Sequence, residues 1–141
     1  MKVEISNGEL LDKVSILEIK LKNITNEEKL VNIKNEFKIL KPLAVNLFNS
    51  DEGGILSHYR HLIEINSELW KIEDDIRECE KNNDFGPKFI ELARNVYITN
   101  DKRCDVKKLI NITTGSKLVE EKSYEDYTNE DDEFNIITQS H

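Results

Sequence analysis

A chain of 141 residues, 38% hydrophobic and 34% charged, is long enough to fold as one domain around its own core. Its net charge of −8 is unevenly spread: residues 125–141 hold six acids and no Lys or Arg, leaving 22 acids against 20 bases in the body. Such a body lacks the concentrated basic surface that nucleic acid requires, and no run approaches the ~20 apolar residues of a membrane span, so neither partner is expected.

The opening Met1-Lys2-Val3-Glu4 starts no continuous apolar stretch of the secretory type. Cys79 and Cys104 lack CxxC spacing and read as reduced thiols of a cytoplasmic protein. Ser6-Asn7-Gly8-Glu9 is a capping box that opens a first helix. Its apolar stripe is Leu10, Val14, Leu17, Leu21 and Ile24. Ile16 and Ile19 fall off that stripe, which predicts neighbours on more than one side.

A second helix is predicted from Thr25, with Glu28 completing another capping box and Leu30, Ile33, Phe37 and Leu40 as its stripe. Pro42 removes an amide and is expected to kink or end it, with Leu43 to Phe48 as a further turn or two if it continues. The polar, Gly-rich residues 49–54 are a loop. A third helix runs from about residue 55 to about 82, its buried face marked by Ile55, Tyr59, Leu62, Leu69, Trp70 and Ile76. After the turn at residues 83–87, a fourth carries Phe89, Ala93 and Val96, runs to about Thr113, and has Gly115 as its stop signal. Glu120-Glu121-Lys122-Ser123-Tyr124 either folds over the end of the bundle or forms a surface turn, the plainer reading. The expected fold is all-α: an antiparallel bundle of about four helices over residues 1–127, then a disordered acidic tail over 128–141.

The informative breaks in this pattern are polar residues at core-facing positions. The third helix carries Asn66, Glu73 and Arg77 at the angle of Leu62 and Leu69. The stripe of the fourth continues into Asn100, Arg103, Lys107 and Asn111, flanked by Arg94, Tyr97 and Asp101. The first helix offers Lys13, Glu18 and Lys20 at its stripe edges. Three of the four arginines in the chain lie in this region. One reading is an ion-pair network that fixes helix register. The other is a pocket for a small anion bearing phosphate or carboxylate. Arg77, Arg94, Asn100 and Arg103 would hold it, the planar fork of Arg matching its oxygens. Glu73 or Asp101 would be the candidate catalytic acid or base. The competing function is a noncatalytic interaction or oligomerisation module, pairing with a partner or a second copy of the chain.

Other chemistries find less support. His58, His61 and Glu64 drift around the helix and make a poor metal set, so no metal or other cofactor is expected. The acids between Glu73 and Glu80 lack the paired E-x-x-E and E-x-x-D segments of all-α nucleotide pyrophosphohydrolases. No nucleophile elbow and no phosphate-cradling glycine loop is present. Helical chorismate mutases offer only an analogy of site type.

Four stretches taken together resemble a known family. They are residues 6–20, opening Ser6-Asn7-Gly8-Glu9-Leu10-Leu11-Asp12-Lys13; Leu69-Trp70-Lys71-Ile72-Glu73-Asp74-Asp75-Ile76-Arg77; residues 89–103, with Ala93-Arg94-Asn95-Val96-Tyr97 and Asn100-Asp101-Lys102-Arg103; and residues 120–124. In this order, over about residues 5–127, they resemble small bacterial and phage proteins grouped as a domain of unknown function. The resemblance implies such a source and a single domain, and it supplies no substrate.

Overall fold

A computed structural model describes residues 1–50 and 54–128. They form four helices: α1 (Asn7–Asn23), α2 (Glu27–Asn49), α3 (Ile55–Lys81) and α4 (Pro87–Thr114). The described residues contain no strand, and the fold is the expected antiparallel bundle. The acidic tail predicted beyond Thr128 and the centre of the 49–54 loop lie outside the described residues.

Most helix ends have a local cause. At α1, Ser6 Oγ accepts from the Glu9 amide at 3.1 Å, which is half of the expected capping box. The Glu9 carboxylate does not return to the cap. It accepts instead from Lys107 Nζ on α4 at 2.7 Å, a charge-assisted bond. The cap of α2 is Asn26 rather than Thr25, its Oδ1 accepting from the Lys29 amide at 3.0 Å. Pro42 does not end α2, which continues to Asn49. Pro42 and Lys38 are both exposed, so water can take the carbonyl that the missing amide frees. In the turn before α4, Asp84 Oδ1 accepts from the Gly86 amide at 3.2 Å, and Pro87 supplies a preset first helical residue.

α4 passes unbroken through Asn100 and stops at Gly115, whose φ of +63° suits a residue without Cβ. The Ser116 amide then reaches back to the Asn111 carbonyl at 2.9 Å. From there residues 116–128 run without regular structure as a strap along α4. Lys108 Nζ lies 3.1 Å from Glu121, Lys107 Nζ lies 3.4 Å from Glu120, and Tyr127 donates to Asp101 at 2.7 Å. The strap thus returns along the flank of α4.

The core is built where α1, α3 and α4 meet. Leu11, Leu62 and Ile110 are fully buried there, with Val14, Ile65 and Val106 around them. α2 closes one side by laying Phe37, Leu40 and Ala44 on the cluster. As the off-stripe Ile16 and Ile19 predicted, α1 touches all three other helices, and Ile19 is buried. Trp70 and Ile76, expected in the core, are only half-buried.

Candidate functional site

The site begins with the seam between α1 and α4. Residue numbers run in opposite directions across it: Asn7 meets Thr114, Gly8 meets Asn111, Glu9 meets Lys107, and Asp12 faces Arg103. Close approach is possible because residue 8 has no side chain. A Cβ there would fall well inside van der Waals contact of the Lys107 carbonyl oxygen and 3.0 Å from Asn111 Oδ1. At this distance α4 caps α1. Asn111 Oδ1 accepts from the Gly8 amide at 2.7 Å and Ser116 Oγ from the Asn7 amide at 3.2 Å. With Ser6 on the Glu9 amide, the first three amides of α1 are all taken, so this helix N-terminus offers nothing to an external anion.

One turn further along, the seam holds a buried polar layer. Asp12, Ser15 and Asn66 are each at most 5% exposed. Asn66 Nδ2 donates to Asp12 Oδ1 at 2.9 Å and to Ser15 Oγ at 2.8 Å, and Ser15 in turn donates to the Asp12 carbonyl at 2.6 Å. Arg103 reaches this layer from α4. Its Nη1 stays 4.0 Å from Asp12 Oδ2, too long for a hydrogen bond, and its buried Nε finds no acceptor among the described residues.

Above the layer is a cleft of about 510 Å³. α1 contributes Ile16 and Ile19 as an apolar wall, and α4 contributes Asn100 and Arg103. α3 supplies the opposite wall, from Asn66 through Leu69, Trp70 and Glu73 to Arg77. Arg77 pairs with Glu73 one turn back, and their side chains are 72% and 47% exposed. An exposed i, i+4 pair contributes about 0.3–0.5 kcal/mol, so this one shapes the mouth of the cleft more than it holds the fold.

Of the expected site residues, Glu73, Arg77, Asn100 and Arg103 therefore share one cleft. Arg94 and Asp101 do not line it. Each residue turns a helix by about 100°, which swings both off the face that carries Val96, Asn100 and Arg103. Arg94 is exposed, and Asp101 turns to the strap. Burial, then the hydrogen bond to Asp101, pushes the Tyr127 phenol up to about 12, so it stays a donor at neutral pH.

The polar stripe of α4 meets partners that the sequence reading did not single out. Asp12 and Ser15 lie beneath the cleft, and Gly8 admits Asn111. A signal for them exists. Gly8, Asp12, Ser15 and Ile19 recur at steps of four, three and four, marking a second inward face of small and polar residues.

The Glu9–Lys107 pair gives the seam a pH signature. Burial raises the Glu9 pKa, but the Lys107 hydrogen bond and the charges of Lys107, Lys13 and Arg103 outweigh it and hold the carboxyl below its ordinary 4.5. For Lys107, burial lowers the pKa, yet Glu9, Asp12 and Glu120 together lift it above its ordinary 10.5. The Glu9 contribution to stability is present above 4.5 and fades as pH falls through its depressed folded value. That of Lys107 is present below 10.5 and fades as pH rises through its raised one. The Tm difference between wild type and Lys107→Met is accordingly expected to narrow on acidification below pH 4.5. A difference that stays constant from neutral to acid pH would remove the pair as its source.

Comparison with known proteins places the chain in the family of unknown function DUF6165, whose model matches residues 1–132. No curated protein and no solved structure matches it. No helix among the described residues is long and apolar enough to cross a membrane.

Proposed function

We propose that the cleft between α1, α3 and α4 binds a small anionic ligand bearing phosphate or carboxylate. One observation carries this reading: Arg103 reaches the base of the cleft with a buried Nε donor that no described residue accepts and with Asp12 only loosely opposed. Leaving such a donor unsatisfied is costly, and an oxyanion is the acceptor that its fork fits best. Asn100 adds a neutral donor beside it, and Arg77 offers a second guanidinium at the mouth. Glu73 is the candidate proton carrier that borders the cleft. Two free thiols among the described residues fit a cytoplasmic setting.

The test is a thermal-shift screen of wild type and Arg103→Met against phosphorylated and carboxylated metabolites. Ligand at 100 times its Kd stabilises by about 2.7 kcal/mol, readily seen in a chain of this size. We expect a rise in Tm with one chemical class and its loss in Arg103→Met. A rise that survives in that variant would move the site elsewhere.

A second reading has its own support. α2 exposes Val31 (58%), Ile39 (70%) and Leu43 (49%) away from the core, as an interaction module would. In that reading the Asp12–Asn66 layer only sets register. A flat screen together with a solution mass near twice 16.5 kDa would favour it.

A further inference from the structure

A second cleft, of about 620 Å³, lies on the other flank of α4, between that helix and the strap. Its walls are aromatic: Tyr97 from α4, with Tyr124 and Tyr127 from the strap. Asn100 and Arg103 line this cleft as well as the first one, so the two spaces adjoin at the same pair of side chains. Lys122 brings a second cation to the strap side.

We propose that the two clefts form one site and that its ligand is an anion carrying a planar aromatic ring, such as an aryl or nucleobase phosphate or carboxylate. This deepens the anion-binding reading and rests on it. The anionic group takes Arg103 and Asn100, and the ring lies among the tyrosines. A bare phosphate or carboxylate would engage Arg103 and leave the aromatic walls unused. The strap side carries both signs, Lys122 with Asp101 and Glu125 beside the shared Arg103, which suits a neutral ring there. Tyr97 and Tyr127 already pack edge to face, with centroids 5.0 Å apart at 66°, and form one wall. Tyr124 is 77% exposed, and among the described residues Lys122 Nζ lies over its ring at 5.6 Å, which leaves the rest of the ring open to stacking. Tyrosines also suit a polar aromatic ligand because each couples a flat apolar face to a hydroxyl.

The experiment compares matched probes on the full chain by calorimetry: phenyl phosphate against inorganic phosphate, adenosine 5′-monophosphate against ribose 5-phosphate, and benzoate against acetate. We expect the ring-bearing member of at least one pair to bind roughly tenfold tighter, the factor that stacking on one aromatic side chain typically gives. The pair that responds separates nucleobase, aryl phosphate and aryl carboxylate sources. Tyr124→Ala, at a side chain that is 77% exposed and outside the core, should bring the ring-bearing probe down toward its ring-less partner. Arg103→Met should remove both members. Equal binding within every pair would overturn the aromatic ligand and leave the anion site standing. No binding by any probe would overturn both.

Discussion

Gly8→Ala is expected to destabilise the protein by about 2 kcal/mol, although alanine is the better helix former by roughly 0.5–1 kcal/mol. The new methyl would meet the Lys107 carbonyl, a backbone atom that no rotamer change can move away. α1 and α4 must then separate. Separation stretches the 2.7 Å bond from the Gly8 amide to Asn111 and the 2.7 Å pair between Glu9 and Lys107. Overpacking of this kind typically costs 1–3 kcal/mol, roughly, and more when hydrogen bonds are lost with it. Thermal unfolding should show Tm lower by roughly 5–10 °C. Because intrinsic propensity favours the substitution, the sign alone decides: a variant as stable as wild type would mean that the seam does not need close approach.

The architecture was legible because it rests on local rules. Periodic Leu and Ile, the Ser6 cap, the Asn- and Gly-rich breaks and Gly115 each act within a few residues, and the helices follow them. Pro42 left the end of α2 open between a stop and a further turn or two, because its cost depends on which way residue 38 faces, and that is set by packing. Thr25 gives way as the cap because Asn26, one residue later, is the stronger one.

The site was half legible. Glu73, Arg77, Asn100 and Arg103 stood out as charges and amides at core angles, and they do share a cleft. From the first helix the expected contributors were Lys13, Glu18 and Lys20 at its stripe edges, and none of them lines the cleft. The deeper partner is Asp12, which hid between Leu11 and Lys13 inside a helix read through its leucine stripe. An isolated buried acid looks like an ordinary surface acid until the neighbouring helix is in place. Arg94 shows the converse, since proximity in sequence to Asn100 and Arg103 does not give the same face of a helix, while Asp101 meets those two only in the second cleft, beside the strap.

Asp12→Ala should cost about 3 kcal/mol, the usual scale for breaking a buried charge network by removing one member. Asn66 would lose Asp12 Oδ1 as an acceptor and keep Ser15 Oγ, and Arg103 would lose the carboxylate that faces it at 4.0 Å. The informative contrast is the triple variant Asp12→Leu/Asn66→Leu/Arg103→Met, which replaces the layer with apolar side chains of similar size. Such replacements are often neutral or stabilising, because neither charge must be desolvated any longer. We expect urea unfolding to put the triple variant within about 1 kcal/mol of wild type, well above Asp12→Ala. If it folds that well and gives no shift with any ligand that stabilises wild type, the cost of a charged layer is met for the sake of binding. If instead it falls below Asp12→Ala or loses its unfolding cooperativity, the layer is what sets the register of α1 against α3 and α4, and the weight moves to the interaction reading.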